Sequence, residues 1–175
     1  MIDHAPIRNA IVGGLTQHLE RPVVMLDQGA PKPAYPFVIY RFTSGLIEEP
    51  GLPAETGDAV SSEDPTWRHD YQYTQRSQPT AVLSLIAISR DPDEAYQLAL
   101  DALAWFRFHG YDALKAAGVV VVRAASGIQN RDTLIVDDYE RRQGFDLVLR
   151  MSSELVRRVS TIESVETQRA GGVSS

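Results

Sequence analysis

The stretch NRDTLIVDDYERR, residues 130–142, sets four carboxylates (Asp132, Asp137, Asp138 and Glu140) beside three arginines (Arg131, Arg141 and Arg142). Carboxylates this close can hold a magnesium ion and present it to water for hydrolysis. That chemistry also needs a positioned base, and the only lysines of the chain, Lys32 and Lys115, lie elsewhere. The Gly-rich runs that cradle phosphates and the strand–Ser–helix elbow of hydrolases are both missing. His4, His18, His69 and His109 are far apart in sequence and form no i, i+4 pair of the kind a helical zinc site uses. The residues therefore predict no catalytic, metal-binding or cofactor-binding side chain. A small metal-dependent hydrolase or nuclease built on Asp132, Asp137 and Asp138 stands as the alternative.

The other chemistry open to this stretch is ion pairing. Residues 127–158 contain six acids and six arginines, so their net charge is zero. Balanced charge suits carboxylate–guanidinium contacts better than a cation trap. If residues 139–150 are extended, Tyr139, Arg141, Gln143, Phe145, Leu147 and Leu149 share one face. Glu140, Arg142, Gly144, Asp146, Val148 and Arg150 share the other as a charged ladder. Alternation alone leaves open whether the ladder pairs within one subunit or between two.

Several elements must position that ladder. Ile7, Ile11, Leu15 and Leu19 make an apolar helical stripe behind Asp3 and Pro6, interrupted by Gly13 and Gly14, which mark a weak spot or a close backbone approach. PVVMLDQ reads as a short strand, and the prolines of GAPKPAYPF deliver an extended chain into the strand FVIYRFTS. There Val38, Tyr40 and Phe42 form the more apolar face. WRHDYQYTQRS alternates like a strand, and TAVLSLIAIS, apolar on both faces, reads as a central one. Asp91 and Pro92 open the clearest helix, which Gly110 closes, and YDALKAAG adds a helical turn before the strand VVVVRA. Residues 155–165 read as a last extended segment.

Residues 45–66 have three prolines, three glycines and six carboxylates, including Glu48, Glu49, Glu55 and Asp58, with no basic residue. Such a length is expected as a functional loop or arm. Together these elements predict an α+β fold: a single mixed, mostly antiparallel sheet packed against two main helices, with the long acidic arm. One domain over 1–166 and an unpaired tail over 167–175 complete the expectation.

The net charge of −6 is the wrong sign for a phosphate-gripping surface. With no cysteine there is no disulfide framework, thiolate zinc site or cysteine nucleophile. No apolar run is long enough to cross a bilayer as a helix and no signal-peptide core follows Met1, so no membrane role is expected.

In their order, IRNAIVGGLTQHL, RPVVMLDQGAPKPAYPFVIYRFTS, DEAYQLALDALAWF, GVVVV and IQNRDTLIVDDYERRQGFDLVLR resemble bacteriophage neck or tail-terminator proteins, small α/β proteins of the head-to-tail junction. The resemblance implies a non-enzymatic virion protein, assembled in the host cytoplasm as a homo-oligomer, a hexameric ring. Such a ring terminates the tail tube and joins it to the head connector. Its partners would be connector or head-completion proteins and tube or sheath proteins. DNA would pass through the lumen without specific binding, which an acidic wall favours by repulsion. A related tail- or head-completion protein is built from similar parts.

The resemblance also places residues 130–146 near subunit contacts. It makes Arg131, Asp132, Asp137, Asp138, Glu140, Arg141 and Arg142 interface candidates. The acidic arm, with Glu48, Glu49, Glu55 and Asp58, would reach a neighbour. On that view alanine at Arg141 and Arg142 spares the monomer and impairs assembly.

Overall fold

The computed structural model describes residues 2–26, 29, 31–44, 47, 53–135 and 138–160, with side chains left out at 133–135, 138 and 139. Asp3 accepts a hydrogen bond from the Ala5 backbone N–H at 3.0 Å and starts helix α1, His4–Leu19. Ile7, Ile11 and Leu15 are its buried stripe, each stabilising the fold by about 1.5–3 kcal/mol through burial. Glu20 closes the helix in the left-handed conformation, at φ 52°.

Strands β1 (Val23–Met25), β2 (Phe37–Phe42), β3 (Ala54–Ser61), β4 (His69–Ser77) and β5 (Thr80–Ser89) follow. Helix α2 (Pro92–Ala104) passes into a π-helical turn, Trp105–His109, and then into α3 (Tyr111–Ala116). The chain continues through β6 (Val119–Ala124), β7 (Gln129–Asn130), β8 (Thr133–Ile135), β9 (Asp138–Met151) and β10 (Ser153–Ser160). The expected helix at 91–110 is thus α-helical only to Ala104. Asp91 caps it by accepting from the Asp93 and Glu94 N–H groups, both at 2.9 Å.

The described residues fall into two compact units, one from 1–51 and 77–153, the other from 52–76 and 154–160. In the larger, the main sheet runs β1-β2-β5-β9-β6, with β7 and β8 also on β9. Only the β1–β2 pair is parallel. The fold is α+β, as expected. Strand β5, apolar on both faces, lies between β2 and β9, where both faces are covered or part-covered. Along the far edge of β9, β6, β7 and β8 pair in succession, and a bulge at Val122 separates Val121 from Arg123.

One sheet face carries the core. Val38, Tyr40, Leu83, Leu85, Phe145 and Leu147 meet Ile11 and Leu15 of α1, Leu98 and Ala99 of α2, and Trp105. Burial raises the Tyr40 hydroxyl above its ordinary range, with Arg8 pulling the other way. On the opposite face Phe37, Ile39 and Ile88 form a smaller cluster.

The smaller unit is a second sheet, ordered β10-β4-β3, where one sheet was expected. Residues 54–61, anticipated as loop or arm, pair with β4 from Ala54↔Arg76 to Ser61↔His69. Its alternation was masked because β3 is exposed along nearly its whole length, so neither face reads as apolar. Strand β10 joins this sheet and not the core, with every residue from Glu154 to Ser160 exposed. The ion pairs Arg76–Glu154, at 2.8 Å, and Arg158–Glu63, at 2.5 Å, tie its strands and turn together. In the turn the Thr66 hydroxyl and N–H both donate to Asp64 and hold its carboxyl below the usual range.

Candidate functional site

The charged ladder occupies the face of β9 turned away from the helices. Phe145, Leu147 and Leu149 enter the core on one side of the strand, which forces Glu140, Arg142, Gly144 and Asp146 to the other. Glu140 is 3 % exposed, and both its oxygens are engaged. Arg142, two residues along the same face, reaches one oxygen through Nε at 3.0 Å and Nη2 at 2.5 Å. The other oxygen accepts from the Tyr35 hydroxyl and pairs with Lys32, which itself donates to Tyr35. The proline-rich segment therefore supplies two of the partners of Glu140. A buried carboxylate persists when its charge is matched and its lone pairs are filled in this way.

A second pairing lies further along the same face. Arg131 donates to Asp146 at 3.0 Å and to the Ser84 hydroxyl at 2.9 Å. Its side chain crosses Gly144, where a Cβ would stand 2.9 Å from both the Arg131 Cδ and the Leu85 carbonyl oxygen. A glycine in this strand is what lets the guanidinium lie flat on the sheet.

Asp132 sits where β7 gives way to β8. Its carboxylate accepts from the Arg142 N–H at 2.6 Å, from Asn130 at 3.2 Å and from Arg141 at 3.2 Å. Desolvation raises its pKa and is the largest single influence, but the three hydrogen bonds and the Arg141 charge together carry it below the usual carboxylate range. A depressed folded value means stability that is full above the ordinary pKa and lost as pH falls through the folded one. Asp132→Asn should therefore cost about 1–2 kcal/mol at pH 7, by loss of charge-assisted bonds. Urea titrations repeated at falling pH should show the gap closing below about pH 4. A gap unchanged at pH 3 would assign the loss to shape and not to charge.

The structure thus brings Arg131, Asp132, Glu140, Arg141 and Arg142 together and closes their charges inside one chain. The partners that sequence reasoning did not assign are Lys32, Tyr35 and Ser84, all distant in sequence. Glu55 and Asp58 are elsewhere, exposed on β3. Glu48, Glu49 and Asp137 lie outside the described residues, as does the side chain of Asp138. One consequence bears on alanine substitution at Arg142. Because Arg142 neutralises a buried carboxylate, its removal tests the fold of the subunit as well as assembly.

Among the described residues no three His, Asp or Glu side chains are grouped to hold a metal. Asp132, the described member of the proposed hydrolytic cluster, is taken up by three donors. No helix among the described residues is long and apolar enough to cross a membrane. Comparison with curated proteins finds no match. The family described as phage neck terminator protein matches residues 9–173, spanning most of α1, all of α2 and α3, the main sheet and the segment 45–66. The chain belongs to the phage neck terminator protein family.

Proposed function

We propose that the protein assembles as a closed ring of identical subunits at the phage neck, where it terminates the tail tube and joins it to the head connector while DNA passes through the lumen. The observation that carries this reading is the family match over residues 9–173, which gives the chain a structural role in the neck of the virion. Head and tail proteins of the phage are the partners this implies. A net charge of −6 supports a lumen that repels the phosphate backbone and lets DNA slide. The role assigned to the charged cluster is to hold Arg131, Asp132, Glu140, Arg141 and Arg142 in one arrangement on β9, so that a neighbour meets a preformed surface.

Electron micrographs of the purified protein test the proposal. Rings with a central hole, which add to tailed particles and block further tube growth, are the expected result. Particles that remain monomeric at every concentration and salt would overturn it.

A further inference from the structure

Two features of the chain have no partner among the described residues. The first is the outer edge of β6, which pairs only with β9 and leaves its other row of backbone groups open. Val120 and Val122 there are 51 % and 42 % exposed. Beside this edge a groove of about 430 Å³ is lined by Tyr111, Val120, Val122, Arg107 and Arg123. An apolar edge strand without guarding lysine or proline is a surface primed for strand addition. The two arginines are exposed and make no ion pair or hydrogen bond among the described residues. They also stand on opposite faces of the sheet. Arg107 comes from the π-helical turn in the helical layer, whereas Arg123 shares the face of its cross-strand partner Val148, away from the helices, since its neighbour Ala124 packs with the core.

The second feature is β3, the edge strand of the smaller sheet, paired only with β4. It carries Glu55 and Asp58, both exposed and both without a partner among the described residues. Separated by three positions on a strand, they project from opposite faces. A strand with one carboxylate on each face matches an open edge flanked by one arginine on each face.

We infer that β3 of one copy docks along the β6 edge of the next, with Glu55 and Asp58 meeting the Arg107 and Arg123 pair. The inference rests on the ring reading and specifies its subunit contact. Because the two surfaces differ, the contact is head-to-tail, the kind that closes into a ring when the rotation per subunit permits. Strand addition supplies the backbone bonds, and the charges select direction and register.

Reciprocal charge reversal tests it. The full-length chain, R107E/R123E and E55R/D58R are compared by mass photometry at matched concentration and ionic strength, with circular dichroism confirming that each folds. Wild type should form rings. Each variant alone should lose at least about tenfold in assembled fraction, because like charges then face each other at every contact. Mixing the two variants restores an opposite-charge pair at both kinds of contact, so assembly should return, in even-membered rings. Rings formed by both variants alone, or variants that fail to rescue each other, would overturn the contact while leaving the ring reading intact. A wild type that never assembles would overturn the ring reading itself.

Discussion

Replacing Arg142 with alanine is expected to lower the free energy of unfolding by about 2 kcal/mol. A fully stranded buried charge costs about 3–5 kcal/mol, but Glu140 retains Lys32 and Tyr35 on its other oxygen, which offsets part of the loss. In a Glu140→Gln background the same replacement should cost less than about 1 kcal/mol, because no buried charge remains to be stranded. Urea denaturation of wild type, both single variants and the double variant gives the coupling directly. A coupling below about 0.5 kcal/mol would show that Lys32 and Tyr35 hold the carboxylate without Arg142. The result matters for assembly assays as well, since a destabilised subunit would lower ring yield without any contact being broken.

Opposite signs are expected at two neighbouring glycines of α1. A Cβ at Gly14 would stand 2.4 Å from the Trp105 Cζ2, and one at Gly110 would stand 2.5 Å from the same indole at Cε2. Trp105 is 4 % exposed and packs edge-on to Phe106, so the ring cannot move aside without opening the core. Gly14→Ala should therefore cost about 2–3 kcal/mol through overpacking. At Gly13 nothing lies within 4 Å of the added carbon. Gly13→Ala should stabilise the protein by about 0.5–1 kcal/mol, the helix-propensity difference between the residues. Thermal unfolding of the two variants measures both. Equal destabilisation would mean that this part of α1 is held by backbone flexibility and not by its seat on Trp105.

Much of the larger unit could be read in advance because its elements repeat over enough residues to leave a period. The stripe Ile7, Ile11 and Leu15, the Asp91–Pro92 start, the two-sided apolar run of β5 and the split of β9 into an apolar and a charged face all follow local rules. The π-helical turn did not show. Its residues Trp105 and Phe106 keep the apolar spacing of α2, and the seat of the Trp105 indole against Gly14 and Gly110 is a tertiary contact. The second sheet was equally hidden, since β3 has no apolar face and β10 mixes Leu155, Val156 and Val159 with Arg157 and Arg158 on both sides.

The candidate site was legible as a composition and not as an arrangement. Sequence alone determined that residues 127–158 balance their charges and that Glu140, Arg142 and Asp146 share a strand face, because alternation is a property of the extended backbone. Only the tertiary structure decided who pairs with whom. Lys32 and Tyr35 reach Glu140 across more than a hundred residues of chain, and Ser84 and Asp146 meet Arg131 through the register of β5 on β9 and the gap at Gly144. Such pairings depend on strand order and on the path of a proline-rich segment, which no local period encodes. The same holds for the surfaces left over: Glu55 and Asp58 stood out in sequence only as part of an acidic arm, Arg107 and Arg123 did not stand out, and the open strand edges beside them exist only once the two sheets have formed.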